Sequence, residues 1–477
     1  MENEERRVSF GVAVLNISIL VLFVAVGNGL LKFMPLDVAV ILAITVMTLT
    51  VRTCGFKAEE VLGFAMEGAR KQMGVIGILM FVGALIGSWI VAGIVPTMVY
   101  YGLKFLSPTY FLLTGFLLLC LVSFFIGSTY ATAGTIGIAL MSIGYGMGYP
   151  SAITAGMVVS GSIFGNKISP FADSTNLCIA VTGVELMDHI KSMLYTVVPI
   201  FFISAALYTY LGFAFASQSF DPSKINVISE TLAKNFTISP WLLIIPALTI
   251  GLIVKKVPPV MALLVATLLG AFAAVISQPY DLATIFAAVS KGMQLKSGVP
   301  QVDSLINRGG ISSMMGIVEL VIFLLASGEI LHRTGTTTAL LEKIDKLIHG
   351  PRSLVLSTLL TGFLTDAVTC SQYIAIILPG QMLKEAYQKV GVRMSVLSRS
   401  LEDSGTIFSF WLPWSANAVT LSGIVGVFIT DSYIYAFQLC LTPIFAAFYG
   451  ITGLAVWRDK PQDSPPETCE PSTASAK

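Results

Sequence analysis

Charged side chains are scarce in this chain. Only 12% of its 477 residues are Asp, Glu, Lys or Arg, against roughly 25% in an average soluble domain, and 55% are hydrophobic. The formal net charge of +1 leaves no basic face of the kind that nucleic-acid binding requires. These shortages exclude an ordinary soluble domain and a nucleic-acid partner, and they indicate a chain that crosses the lipid bilayer many times.

Residues for catalysis and cofactor binding are also few. The three histidines lie at the ends of apolar segments, and no Gly-x-Ser-x-Gly turn or cluster of metal ligands accompanies them. The six cysteines have no paired spacing, which favours buried thiols over a metal site or disulfide bonds. No Gly-x-x-x-x-Gly-Lys-Ser/Thr loop occurs, so a pump driven by its own ATPase is excluded. We expect neither an enzyme, nor a cofactor, nor a resident metal ion.

A polar stretch from Ser160 to Asn176 interrupts the apolar segments. It reads SGSIFGNKISPFADSTN and contains two glycines, a proline, a lysine and an aspartate. Hydrocarbon cannot satisfy the backbone groups that a helix break frees, so such a break at membrane depth lies in protein or beside a water-filled cavity. We predict the middle of a broken helix that lines a solute site, with an extramembrane loop as the alternative.

A second polar stretch, Gly127 to Thr135, is small, hydroxylated and uncharged, and it includes Thr129 and Thr132. It suits two structures equally. One is a hydroxyl-rich helix interface, and the other is the tip of a re-entrant hairpin that faces the same cavity.

The second half of the chain repeats the first. Ser160–Phe164 matches Ser404–Phe408 at an offset of 404 − 160 = 244 residues, and Leu112–Leu117 recurs as Leu359–Leu364 at 359 − 112 = 247. Offsets that agree this closely indicate a duplicated unit with small loop changes. We count five membrane segments in each repeat and two between them, so the repeats begin an odd number of segments apart and are inverted, as in many secondary transporters.

The predicted fold class is therefore an all-α polytopic membrane protein with two inverted repeats, broken helices and re-entrant hairpins, and about 12 to 14 membrane segments. Residues 1–72 would form two leading spans and a cytoplasmic connection, 73–216 the first repeat, 217–310 a linker with two spans and polar loops, 311–457 the second repeat, and 458–477 a disordered tail. The basic loops place both termini in the cytoplasm.

Asp173 is the strongest candidate for chemistry. A carboxylate in an apolar cavity holds either a proton or a cation, and it releases one when it takes the other. Ser174, Thr175 and Asn176 supply the neutral oxygens that a small hard cation prefers. The alternative is that Asp173 caps the helix that resumes at Leu177.

In the second half, Asp173 falls on Asn417 at the offset of 417 − 173 = 244. We therefore predict that Asn417, with the hydroxyls of Ser404 and Thr406, contributes neutral ligands opposite Asp173. Lys167 would balance a carboxylate or meet an anionic solute. The remaining candidates are acids and polar residues in apolar surroundings. Glu402 and Asp403 are either site residues or surface charges. Asp366, Ser371 and Gln372 lie in a second candidate hairpin, Glu319 is a further candidate, and Glu329 is expected in an interfacial ion pair.

The stretch Gly165–Leu177, GNKISPFADSTNL, resembles the signature of the NhaC-type Na+/H+ antiporters, which usually reads GDKxSPLSDTTNL. Second-half segments around Ser371, Leu378 and Leu397–Thr406 are also similar to that family, which raises Asp403 above Glu402 as a proton-coupling site. Asn166 stands where the family has its first aspartate, so it is a candidate for the ion- or substrate-binding set, but no carboxylate role is carried over to it.

The resemblance implies an antiporter that exchanges Na+ for H+ by alternating access across the inner membrane of a prokaryote. The family also includes carriers of organic anions such as malate and lactate, and of amino acids, so a Na+- or H+-coupled organic solute is the alternative. Monomer and homodimer both stay open.

Overall fold

The computed structural model describes residues 8–20, 22–23, 35–71, 73–219, 222–255, 257–341 and 350–458. The predicted disordered tail falls almost entirely on residues outside these ranges, as do Met1 to Arg7, so the predictions for both ends of the chain stay predictions.

The described residues fold into helices, with one isolated bridge between Val392 and Arg458 and no strand. The leading part contains α1 (Phe10–Leu20), α2 (Leu36–Thr53) and α3 (Ala58–Lys71). The first half contains α4 (Met73–Val91), α5 (Ile94–Phe105), α6 (Pro108–Ile126), α7 (Thr129–Thr132), α8 (Ile138–Gly146), α9 (Ser151–Ile168), α10 (Asp173–Thr182) and α11 (Leu186–Ser219).

The linker contains α12 (Pro222–Asn235), α13 (Ile244–Val254), α14 (Pro259–Ser277), α15 (Leu282–Lys291) and α16 (Pro300–Ile306). The second half contains α17 (Ile311–Arg333), α18 (Thr336–Leu341), α19 (Pro351–Thr369), α20 (Gln372–Val390), α21 (Met394–Leu401), α22 (Ile407–Trp411), α23 (Ala416–Val425), α24 (Ile429–Ser432) and α25 (Phe437–Thr452). Two π-helical turns, Ala133–Gly137 and Glu402–Thr406, join α7 to α8 and α21 to α22.

The all-helical membrane fold is confirmed. Among the described residues, α4, α6, α14, α17 and the Leu186–Phe215 part of α11 are long and apolar enough to cross a bilayer, which makes five spans. Two bent pairs raise the number to as many as seven: Asn226–Asn235 with Pro240–Val254 at 95°, and Ala416–Val425 with Ile429–Tyr435 at 76°. The larger total of 12 to 14 segments stays a prediction, because it also counts broken helices and hairpin arms that are individually too short for this measure.

Helix ends recur at a constant spacing in the two halves. The residue after α6, Gly127, is left-handed with φ 69°, and the residue after α19, Cys370, is left-handed with φ 52°, at 370 − 127 = 243. Gly183 after α10 and Gly426 after α23 are left-handed with φ 79° and 72°, again at 426 − 183 = 243. This agreement supports a duplicated unit. The inversion of the halves across the membrane, and the domain limits drawn from the sequence, stay predictions.

Helix α9 packs closely against α6 at two glycines, because a side chain at either position would collide with α6. A Cβ on Gly161 would lie 2.5 Å from the Cβ of Leu119, and one on Gly165 would lie 2.4 Å from the carbonyl oxygen of Cys120. Such distances are closer than van der Waals contact allows, so only glycine permits this approach. The close packing fixes the end of α9, and with it the polar stretch that follows.

Candidate functional site

The predicted helix break lies between α9 and α10. Ser169 leaves the helix with φ −74° and ψ 127°, and the next residue, Pro170, cannot donate a backbone hydrogen bond to continue it. Ser169 and Ala172 are fully buried and Phe171 is exposed, so the break is partly enclosed by protein. Its position at membrane depth, as opposed to an extramembrane loop, stays a prediction. Asn176 stabilises it, since its Nδ2 donates to the carbonyls of Ala172 at 2.8 Å and Pro170 at 3.2 Å.

A cavity of about 1020 Å³ lies beside this break. Its wall combines the break, the corner between α6 and α7, the corner between α19 and α20, and the ends of α3 and α17. The polar lining residues are Asp173 and Asn176, Ser128 and Tyr130, Thr369, Ser371 and Tyr373, and Lys71 and Glu329. Gly127 and Ser128 line the same cavity as the break, which agrees with one of the two interpretations of this corner. Its re-entrant topology stays a prediction.

Asp173 is the first residue of α10, and its side chain is exposed to the cavity. Ala172 occupies the N-cap position and makes no side-chain cap, so the alternative that Asp173 is the N-cap is wrong. The Asp173 carboxylate has no hydrogen bond or ion pair within the described part of the chain. Its place in the first helical turn favours a negative charge, because the unpaired backbone N–H groups point toward it.

The other residues of the motif separate from Asp173. Ser174 and Thr175 are buried and do not line the cavity, and Asn166 is only 7% exposed. The ligand set predicted from Asp173 to Asn176 is therefore reduced to Asp173 and Asn176 in this conformation. An α-helix turns about 100° per residue, which sends consecutive side chains to different sides.

Behind the cavity wall, Lys167 forms a buried ion pair with the second half of the chain. Its Nζ lies 2.5 Å from Oδ1 of Asp403, and Thr196 Oγ1 donates to the same oxygen at 3.3 Å. The prediction that Lys167 balances a carboxylate is confirmed. The alternative of an anionic solute does not fit, because the Lys167 side chain is completely enclosed.

Glu402 is the buried neighbour of this pair. Its Oε1 accepts a hydrogen bond from Ser174 Oγ at 2.9 Å, and its Oε2 accepts one from Cys178 Sγ at 3.3 Å. Both Glu402 and Asp403 are fully buried, so their alternative interpretation as surface charges is wrong. Sequence reasoning placed Glu402 second, because the family motif that favoured Asp403 carries no information about which carboxylate α10 contacts.

The predicted neutral ligands of the second half form a separate network. Asn417 Nδ2 donates to Gln372 Oε1 at 2.5 Å and to Ser409 Oγ at 2.9 Å, and Gln372 Nε2 donates to Thr406 Oγ1 at 3.4 Å. Ser404 Oγ donates to the carbonyl of Ser400 at 2.6 Å. Of the predicted second-half residues, Ser371 and Glu329 are found among the described cavity-lining residues.

The expected placement of Asn417 opposite Asp173 is therefore wrong. Both α10 and α23 begin after a four-residue break, and at the structural spacing of 416 − 173 = 243 the residue that corresponds to Asp173 is Ala416. The motif spacing of 244 differs by one residue from the spacing of the helix starts, which is 243 both before the motif, at 394 − 151, and after it, at 416 − 173. Thr129 and Thr132 are likewise buried behind the corner, outside the cavity lining.

Four charges form a cluster where α3 meets α17. Glu329 Oε1 lies 2.6 Å from Lys71 Nζ and 3.0 Å from Arg333 Nε, and Arg333 Nη2 lies 2.6 Å from Oε1 of Glu67. The prediction of an ion pair at Glu329 is confirmed, and Glu319 is exposed on α17. Sequence reasoning gave no role to Lys71, Tyr130 and Tyr373. For the two tyrosines, the available signal in the sequence was their position directly after the polar corner residues Thr129 and Gln372.

A helical multi-pass membrane protein whose two halves meet around a cavity at a broken helix has the construction of a secondary transporter. The chain belongs to the Na+/H+ antiporter family, whose sequence model matches residues 161–454. The resemblance seen in the sequence is thus confirmed.

Three relatives match nearly their full length. The chain is 34% identical to the malate-2H(+)/Na(+)-lactate antiporter of Bacillus subtilis, over 93% of this chain and 95% of that protein. It is 31% identical to the Na(+)/H(+) antiporter NhaC of Alkalihalophilus pseudofirmus, over 96% and 98%. It is also 31% identical to the arginine/ornithine antiporter ArcD of Halobacterium salinarum, over 98% and 96%.

Proposed function

We propose that this protein is an antiporter that exchanges Na+ for H+ across the cytoplasmic membrane of a prokaryote, and that Asp173 binds the two ions in turn. The observation that carries the proposal is the charge balance of the cavity. Its described charged lining residues are Asp173, Lys71 and Glu329, and the last two pair with each other. Asp173 leaves one negative charge uncompensated, which attracts a cation.

The exchange follows from competition for this carboxylate. Ionised Asp173 binds Na+, with Asn176, Ser128 and Ser371 on the same wall as sources of neutral oxygens. Protonation neutralises the carboxylate and releases the metal ion. One group that cannot hold both ions therefore couples their movement when the cavity opens to one side of the membrane at a time.

Asp403 is the proposed second proton-coupling group. Its Oδ2 is buried and has no hydrogen-bond partner among the described residues, while its Oδ1 holds Lys167. A proton added to Asp403 would weaken this bridge between α9 and the π-helical turn of the second half. Movement of the halves against each other would then depend on whether Asp403 is protonated.

An organic solute is the second candidate substrate, and the size of the cavity favours it. A volume of about 1020 Å³ far exceeds the roughly 30 Å³ that one water molecule occupies in the liquid. The relatives named for malate and lactate and for arginine and ornithine agree with such a substrate. The charge balance favours a solute with an amino group over a simple anion, since Lys167 is enclosed and Lys71 is paired.

We place both termini and the Lys71–Glu329 side of the cavity in the cytoplasm. The support is the basic character of the loops around Arg52, Lys57 and Arg70. In this orientation the cavity is open to the cytoplasm.

Reconstitution into proteoliposomes tests the substrate. A panel of Na+, K+, malate, lactate, arginine and ornithine is offered against an imposed pH gradient, with dissipation of the gradient as the readout. If the protein is a Na+/H+ antiporter, Na+ should dissipate the pH gradient and the other members of the panel should not. A response to an amino acid or an organic acid without any response to Na+ would replace the proposal by the second candidate.

A further inference from the structure

Asp366 is a buried carboxylic acid near the end of α19 whose two oxygens have no hydrogen-bond partner among the described residues. The hydroxyl of Thr369 on the same helix is not available, because it donates to the carbonyl of Thr365 at 2.8 Å. An ionised carboxylate that is enclosed without a cation or a donor costs several kcal/mol, so this environment accepts the neutral, protonated form.

Most charged groups on the elements packed against α19 have other partners. These are Glu329 and Arg333 on α17, Glu402 and Asp403 on the π-helical turn, and Arg399 on α21. On α17, His332 lies near the charge of Glu329, and Glu319 is exposed. The charged residues of α20 lie in its far half, where Lys389 pairs with Glu385. Tyr130 and Cys370 lie near enough to interact with the charge of Asp366, and both are uncharged near neutral pH.

The corresponding position of the first half shows that packing does not require an acid here. At the structural spacing of 366 − 123 = 243 the equivalent residue is Ser123, whose Oγ donates to the carbonyl of Ser162 at 2.5 Å. The backbone is the same at both places, since the left-handed residues Gly127 and Cys370 donate to the carbonyls of Ser123 and Asp366 at 2.8 Å. A small hydroxyl satisfies this site, whereas an acid adds a group that can bind and lose a proton.

Asp366 is also connected to the cavity. Thr369, one turn further along α19, lines the cavity wall, and so does Ser371 just after the end of this helix. The acid therefore lies about one helical turn behind the cavity wall.

We infer that Asp366 is a further proton-binding site of this transporter, behind the cavity wall, in addition to Asp173 and Asp403, and that it exchanges its proton with water in the cavity. In the outward step, Asp366 gives its proton to this water and is left as a carboxylate. The reverse transfer restores the acid. The inference rests on the proposed function, because the site adds one proton to the exchange at Asp173.

Two measurements on the full-length protein test it, with Asp366→Asn as the neutral isostere, Asp366→Ser as the first-half equivalent, and Glu319→Gln as an exposed carboxyl control. Infrared difference spectra between acid and alkaline pH, recorded in lipid, should lose one titrating carboxyl band in both Asp366 variants and keep it in Glu319→Gln. Unchanged spectra in both Asp366 variants would overturn the inference.

In proteoliposomes, the Na+ gradient that stops net flux at a fixed pH gradient gives the number of protons moved per Na+. This number should fall by one in Asp366→Asn. An unchanged ratio in Asp366→Asn would show that the proton never leaves and would overturn the inference. If the unmodified protein exchanges no Na+, the proposed function fails, and the infrared titration still decides whether Asp366 changes its protonation state.

Discussion

The buried ion pair between Lys167 and Asp403 should contribute strongly to folding, and Asp403→Asn isolates its contribution. The side chains are 0% and 1% exposed, and the N–O distance is 2.5 Å. Removing one partner of a buried pair typically costs about 3–5 kcal/mol, because the other charge stays buried. Lys167 retains Glu402 as an acidic neighbour, so we expect the lower end, about 3 kcal/mol. This corresponds to about a hundredfold change in the unfolding equilibrium.

The assay is equilibrium unfolding of the detergent-solubilised protein, with the exposed pair of Asp188 and Lys191 as the internal reference. That pair has an N–O distance of 3.7 Å and side chains that are 60% and 70% exposed, so Asp188→Asn should cost less than about 1 kcal/mol. The double variant Lys167→Met with Asp403→Asn should recover part of the loss, since no unpaired lysine remains. If Asp403→Asn costs no more than Asp188→Asn, the pair is not a buried electrostatic contact and the reasoning is refuted.

Two further predictions concern packing and topology. Gly165→Ala should destabilise the protein by about 1–3 kcal/mol, because its Cβ would lie 2.4 Å from the carbonyl oxygen of Cys120. Gly63→Ala on α3, where a Cβ meets nothing within 4 Å, should be neutral or stabilising, and equal unfolding midpoints for the two variants would refute this packing. Single cysteines at the exposed positions Lys255 and Lys389 should react with membrane-impermeant reagents from the same side of the membrane. Labelling from opposite sides would contradict the proposed inversion of the halves.

The helix break was predictable because its cause is local. Pro170 and the polar residues around it cannot continue a helix in hydrocarbon, whatever the rest of the chain does. The duplication was likewise visible in the matching motifs that begin at Ser160 and Ser404. The exposure of Asp173 to a cavity follows from the same local break.

Contacts between distant residues were not predictable in the same way. The hydrogen bond of Ser174 to Glu402 joins residues 228 positions apart, and the ion pair of Lys71 with Glu329 joins residues 258 apart. A single sequence contains no signal for such partners. The wrong placement of Asn417 has a different cause, since the motif spacing of 244 differs by one residue from the spacing of 243 between the helix starts.

The central claim is that Asp173 binds the exchanged ions, and the most direct test is Na+-driven proton movement in proteoliposomes that contain Asp173→Asn. The isosteric amide removes the negative charge and should preserve the fold, because the Asp173 carboxylate makes no contact that holds the described structure together. We predict loss of Na+/H+ exchange in Asp173→Asn with an unchanged unfolding midpoint, and full exchange in the control Glu385→Gln, whose side chain is 79% exposed. Exchange by Asp173→Asn at the normal rate, with the normal pH dependence, would contradict the account.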